Sequence, residues 1–328
     1  MSWQCRAVAA GIFGEADGRV KYQVLSASQR WLALANEEID MLSRVTTHTM
    51  QRHVLEPTTK RGYSFSVPYL YNGLVFGGLP ANVQCADDFN SAGACNSTVI
   101  CTREGTTHQA EITSKAPNMK VLSVDDLDGM YNSFFNGFCN VVSGEQSDVA
   151  ESLIRSFGYE GEYAFGSKVH SKEPLCTVTR DDDPEFSDFV GWIMQALLVA
   201  EEEGITDRTA NILGTTDVFG DDYRRMFINA VEVVGNYGDI YRRHLEAIIP
   251  RAVGDSINPG DSGLIYSFPY GNVNEIGDGP IAGGTLEAIR DRGFLRCGIS
   301  TRLIFANFDE ATETWSGMYS QVKVFLHC

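Results

Sequence analysis

Apolar and polar positions along this chain fall into short blocks that switch between a period near 3.6 and a period of 2, the marks of helices alternating with strands. Residues 5–13 are small and apolar and stop at Gly14, which predicts a helix with a glycine end. Residues 20–25 alternate as a strand, Ser26 or Ser28 is placed to cap a helix running to Asn36, and residues 39–42 read as a short buried strand. Residues 63–68 and 73–78, aromatic and glycine-rich, read as extended crossover segments, and residues 82–97 as a polar loop holding two cysteines. The alternation resumes with strands at 99–102, 120–124 and 140–143, and with helices through Lys115, over 125–136 and from Glu145 to Phe157. Residues 171–180 resemble a second crossover. Asp183 and Pro184 then open a long helix ended by Gly204, with Phe186, Phe189, Val190, Ile193, Leu197 and Leu198 as its buried stripe. A short helix near Asp207, a third helical stretch over 221–245 broken around 235–238, a glycine-rich linker over 272–284, a helical turn over 286–292 and a strand over 294–300 complete the pattern. Repeated strand–helix units imply parallel sheets covered by helices, an α/β class in which ligands lie beyond the carboxyl ends of the strands.

The 328 residues exceed one typical domain and suit two compact lobes. A formal charge of −17 argues against nucleic acid or an anionic membrane surface as the main partner. The longest apolar run, over 190–200, is too short to span a bilayer, and the first residues carry no signal-peptide pattern. Eight cysteines, with no Cys-x-x-Cys pair among them, suit disulfides and an oxidising compartment; their connectivity stays open among 105 arrangements. Without a Cys-x-x-Cys pair to complete a zinc site, neither zinc nor another cofactor is expected. Asn96-Ser-Thr98 is a glycosylation acceptor in a secreting eukaryote.

Two stretches carry candidate chemistry. Strand 39–42 runs into Thr46, Thr47 and Thr49 and then Arg52, a set of hydroxyl donors ending in a planar fork suited to a carboxylate. The plain alternative is a strand end capped by threonines beside a surface arginine. Arg103-Glu-Gly-Thr-Thr107 joins a strand to a helix, where outward-pointing N–H groups favour an anion. Glu145 sits at the carboxyl end of another strand, where it equally reads as a first-turn acid favoured by the helix dipole. Gly260-Asp-Ser-Gly263 has the look of a serine-protease nucleophile loop but lacks the partner motifs, and that role is rejected.

Ala10-Gly-Ile-Phe-Gly14, Ile39-Asp-Met-Leu-Ser-Arg-Val-Thr-Thr-His-Thr49, Glu104-Gly-Thr-Thr107, Ser171-Lys-Glu-Pro-Leu175, Ala200-Glu-Glu-Glu-Gly-Ile-Thr206 and Val234-Gly-Asn-Tyr-Gly-Asp-Ile-Tyr241 together resemble, in family order, an extracellular solute-binding protein of the polar amino-acid type, from the ABC-transporter receptors. The resemblance implies a type II periplasmic-binding-protein-like fold: two α/β lobes joined by two crossovers, with the ligand between them. The lobes are expected at 1–78 plus 173–328, and at 79–172. Residues 284–318 resemble the start of the mature family protein, although here they close the chain. The resemblance therefore implies circular permutation, or one register of a tandem array. Such rearrangement is tolerated where termini lie together on a surface.

Carried over by position, the resemblance implies Arg52 as the partner of the ligand's α-carboxylate, with Thr47 and Thr49 beside it. It further implies Arg103, Thr106 and Thr107 from the other lobe, Glu145 where the family has an aspartate for the α-amino group, and Phe305 or Phe308 as the aromatic wall. The expected function is binding of a small polar ligand, an amino acid, by an extracellular or periplasmic protein serving a membrane transporter. Two other classes compete: a secreted enzyme on the same scaffold, oxidative or luciferase-like, with His48 as the general base, and a structural module that has lost its ligand. Most cysteines are expected to be bridged, and Cys101 with Cys139, on strands of one lobe, is a candidate pair.

Overall fold

The computed structural model describes residues 3–88, 95–247, 250–251 and 283–300, with the backbone of three short strands further on. The chain divides into two compact units, one of Met1–Leu25, Arg30–Leu70 and Pro174–Cys328, the other of Ser26–Gln29 and Tyr71–Glu173.

Unit 1 is built on a five-stranded sheet in the order Val20–Val24, Leu295–Ile299, Met41–Leu42, Val178–Arg180, Tyr63–Phe65. The first three strands are parallel, with Tyr22 opposite Cys297 and Cys297 opposite Met41; the last two join antiparallel, with Val178 between Leu42 and Phe65. Successive side chains of a strand point to opposite faces. Met41 accordingly enters the large core with Phe189, Ile193 and Leu197, and Leu42 enters a second cluster with Trp31, Leu34 and Tyr63. Helix Pro184–Glu202 forms because its start and face are both specified: Asp183 Oδ1 accepts from the Phe186 amide at 2.9 Å, proline occupies the first turn, and the apolar stripe is buried. Gly204 reverses the chain after it at φ +64°.

Unit 2 repeats the plan: Lys120–Val124, Val99–Arg103 and Val141–Gly144 are parallel, and Val75–Gly78 and Ala164–Phe165 continue the sheet antiparallel. One face carries Phe76, Ile100, Ile112 and Val141, the other Cys101, Tyr131, Phe134 and Val142. Cys101 is bridged to Cys139, Cys85 to Cys95 and, in unit 1, Cys5 to Cys297; Cys176 is a buried thiol whose burial pushes its pKa up to about 12.

Several expectations change. Tyr63–Phe65 is the edge strand of unit 1 and Val75–Gly78 lies inside the sheet of unit 2, so neither is a crossover. The chain passes between units within Leu70–Asn72 and Glu173–Leu175, two short strands that pair with each other. Short apolar strands next to glycine look alike in sequence, and only their hydrogen-bond partners tell them apart. The first part of the expected polar loop at 82–97 is helix Pro80–Asp87, started by proline at its first position. A helix at Met50–Val54 stands where only a hydroxyl-rich segment was expected. The stretch from Glu145 is two short helices, Gln146–Val149 and Glu151–Ser156. Strand Leu295–Ile299 lies between Val20–Val24 and Met41–Leu42, at the centre of the parallel half of its sheet. Beyond it, Asn307–Asp309, Thr314–Ser316 and Val322–Lys323 form a small antiparallel sheet.

Candidate functional site

In unit 1 the hydroxyl run leaves the end of strand Met41–Leu42 and is stitched to the returning chain. Thr47 bridges Leu175, the His48 amide donates to Pro174 O at 2.8 Å, and the Cys176 amide donates to Thr46 O at 3.0 Å. Thr49 then caps the helix Met50–Val54, its Oγ1 accepting from the Arg52 amide at 3.2 Å. That cap fixes where Arg52 emerges. Arg52 is 8% exposed, so it is not the surface arginine of the plain alternative. Its Nη1 donates to Thr47 O at 2.9 Å and its guanidinium carbon lies 5.4 Å from the centre of the Trp31 ring.

Three further arginines of the same unit, Arg30, Arg44 and Arg180, are buried, and the sequence pattern singles out none of them. Arg30 donates to Thr46 Oγ1 at 3.3 Å and lies 4.8 Å from the same Trp31 ring; Arg44 donates to Leu25 O at 2.6 Å. Proximity of Arg30 and Arg44 to the hydroxyl run in sequence was the available signal. Their burial depends on strands contributed from elsewhere.

His48 stacks on Phe65 with ring centres 4.4 Å apart, and its Nε2 is 3.0 Å from Nδ1 of His53. Burial lowers its pKa, and electrostatic repulsion from His53 lowers it further, so the environment disfavours the charged imidazolium.

In unit 2 the sheet ends bring the acids and the base together. Arg103, the last residue of its strand, places Nη2 at 2.9 Å from Asp148 Oδ2 and 3.2 Å from Glu145 Oε2, all three buried. Glu145 stands at the cap position of helix Gln146–Val149 without capping it; its carboxylate turns to Arg103 instead. Asp148, which sequence reading missed, is one helical turn on, the spacing that puts two acids on one side.

The Arg103–Thr107 turn is closed by side-chain bonds, within itself and to the first turn of the helix that follows. Thr106 Oγ1 accepts from the Gln109 amide at 3.1 Å and donates to Arg103 O at 2.7 Å, while Gln109 Oε1 accepts from the amide of Gly105, whose φ is +69°. Thr107 Oγ1 donates to Glu173 Oε2 at 2.6 Å, and Ser171 Oγ donates to Glu173 Oε1 at 2.8 Å. Nε2 of the buried His108 approaches Glu173 Oε1 to 3.2 Å, an ion-pair approach without hydrogen-bond alignment. Burial opposes the charge on His108, but Glu145 and Glu173 outweigh it and its pKa is raised.

Phe305 lies outside the described residues, as does Gly260-Asp-Ser-Gly263. Phe308 belongs to strand Asn307–Asp309, opposite Trp315. Among the described residues no group of three or more His, Cys, Asp or Glu is placed to hold a metal, and no helix is long and apolar enough to cross a membrane.

No profile of a known protein family matches the chain. Individual proteins do. The general L-amino acid-binding periplasmic protein AapJ of Rhizobium johnstonii is 30% identical, with 81% of each chain covered. The glutamate/glutamine/aspartate/asparagine-binding protein BztA of Rhodobacter capsulatus is 28% identical over 81% of this chain and 82% of its own. Among solved structures, the ABC transporter periplasmic binding protein from Brucella ovis with glutathione bound superimposes with a TM-score of 0.59 at 26% identity, covering 74% of this chain and 78% of that one.

Proposed function

The chain belongs to the family of amino-acid ABC-transporter binding proteins, with their type II periplasmic-binding-protein fold, and we propose that it binds an amino acid whose α-carboxylate is anchored by Arg52. The observation that carries this reading is the preparation of that guanidinium. It is 8% exposed, one nitrogen is held on Thr47 O, and Trp31 lies against it, so the plane of the fork is set in advance. Preset donors lose less entropy when they meet a planar carboxylate, whose geometry a guanidinium fork matches. Thr47 and Thr49 stand beside it as hydroxyl partners.

Unit 2 supplies the complementary chemistry in this reading. Glu145 is assigned to the ligand's ammonium, with Thr106, Thr107 and Arg103 as further polar partners and Phe305 or Phe308 as the aromatic contact. Arg103 already neutralises part of the Glu145–Asp148 pair, which tempers the pull on a second cation. The names of AapJ and BztA make neutral, acidic and amide amino acids the first to screen. Glutathione, which ends in a γ-linked glutamate with a free α-carboxylate, belongs in the same screen.

Two companion proposals rest on other observations. The two lobes are assigned to a circularly permuted family member, with the expected boundaries at 78 and 172 moved to Leu70–Tyr71 and Glu173–Pro174, because the segment resembling the family's beginning supplies the Leu295–Ile299 strand of unit 1. An extracellular or periplasmic location and a membrane transporter partner follow from the relatives and from the bridged cysteines.

A thermal-shift screen of the twenty amino acids and glutathione tests the function. A ligand at 100 times its dissociation constant stabilises by about 2.7 kcal/mol. Arg52→Ala is expected to remove the ligand-induced rise and Arg52→Lys to restore part of it, since one partner of a desolvated charge pair is worth about 2–5 kcal/mol of binding. A folded Arg52→Ala protein that binds undiminished would end the anchor assignment. No rise with any of these compounds would end the amino-acid reading.

A further inference from the structure

His48 and His53 are five apart in sequence, a spacing that does not place two residues on one helix face. They meet because His48 precedes the helix and is fixed by its amide bond to Pro174 O, whereas His53 lies within Met50–Val54. The result is a pair of ring nitrogens, His48 Nε2 and His53 Nδ1, 3.0 Å apart. Phe65 backs both rings, at 4.4 and 6.1 Å between centres, and restrains them. His53 is exposed and His48 partly so, which leaves an approach from solvent.

We propose that His48 and His53 form a bidentate site for a divalent late transition metal, copper(II) or nickel(II). Metal–imidazole bonds are about 2.0–2.1 Å, so two of them at a right angle set their nitrogens about 2.9 Å apart, and at a tetrahedral angle about 3.3 Å. The two nitrogens are held 3.0 Å apart by a hydrogen bond between the rings, a separation close to the right-angle value of square-planar or octahedral copper and nickel, so the metal would replace the shared proton with little movement of either ring. Copper(II) heads the affinity order for nitrogen ligands.

Binding needs both lone pairs aimed at the metal, with the protons on His48 Nδ1 and His53 Nε2. A neutral pair reaches that state by a tautomer change and releases no proton. Water supplies the remaining ligands, because among the described residues no third His, Cys, Asp or Glu joins the two. The site does not depend on the amino-acid reading, although His48 and His53 flank Thr47 and Arg52 in sequence.

The test uses the untagged full chain in a buffer that does not coordinate metal. Nickel(II) is titrated by calorimetry and copper(II) by electron paramagnetic resonance. One equivalent is expected, with a copper signal showing two equatorial nitrogens. His48→Gln or His53→Gln should each weaken binding by about tenfold or more, since losing even an outer-shell partner of a metal costs about 10–100-fold. The double variant should abolish the site, and affinity should fall as pH drops and protons compete. Both residues reach solvent, so a melting curve identifies any variant that misfolds, and His53→Ala is the replacement. Full binding by the folded double variant would overturn the proposal. So would loss of binding in His327→Gln alone, which would move the ion to the chain's end.

Discussion

Cys5, on the helix Trp3–Phe13, is bridged to Cys297, on the strand Leu295–Ile299, 292 residues further along the chain. Both partners are fully buried, and the bridge ties that helix to an inner strand of the unit 1 sheet. A cross-link over so long a span removes many conformations from the unfolded chain.

Replacing both by alanine is therefore expected to lower unfolding free energy by about 2–5 kcal/mol. The denaturant midpoint checks this, compared with Cys85→Ala/Cys95→Ala, whose bridge closes a span of only 10 residues and should matter less.

Gly298, on the same strand, has no room for a side chain: an added Cβ would lie 2.5 Å from Ile39 Cδ1 and 3.0 Å from Leu25 Cδ1. Gly298→Val is expected to destabilise the protein by about 1–3 kcal/mol through overpacking. Thermal melting measures it, and Ile39→Val in the Gly298→Ala background should recover part of the smaller loss.

Arg103 holds two buried carboxylates, so Arg103→Met should be among the most damaging polar changes in unit 2. Leaving buried charge uncompensated costs about 3–5 kcal/mol. The triple variant Arg103→Met/Glu145→Gln/Asp148→Asn should be more stable than Arg103→Met alone. If both melt alike, the network does not stabilise unit 2.

His108 gives stability a pH dependence whose sign follows from its raised pKa. In the unfolded chain it titrates near about 6.5. The folded state binds the proton more tightly, so the contribution is fully present below that value and is lost as pH rises through the folded value. The stability difference between wild type and His108→Gln, followed by denaturation across neutral and mildly alkaline pH, should shrink as pH increases.

Much of the local structure was legible because its causes lie within a few residues. Asp183-Pro184 with a stripe ending before Gly204 marks a helix wherever the segment packs, and helix Pro184–Glu202 has those ends. The strand–turn–helix at Arg103–Thr107 was legible for the same reason, and Thr106 is its cap. Pro80 was passed over as a helix start because the helix it opens is short and its apolar pattern weak.

For this protein the sequence by itself determined the class of fold, the stretches that form most helices and strands, and the polar residues that candidate chemistry would use. Each of those rests on signals a few positions apart. Only the tertiary structure decided that Leu295–Ile299 lies between Val20–Val24 and Met41–Leu42, that Arg30, Arg44 and Arg52 are buried, that Arg103 grips Glu145 and Asp148, and that His48 meets His53. A charged residue reads the same in sequence whether it ends in water or against a partner. The long-range partners come from segments tens to hundreds of residues away, and His48 and His53 meet across a helix boundary. In each case the partner is set by which sheet edges and helix ends the packed core brings together.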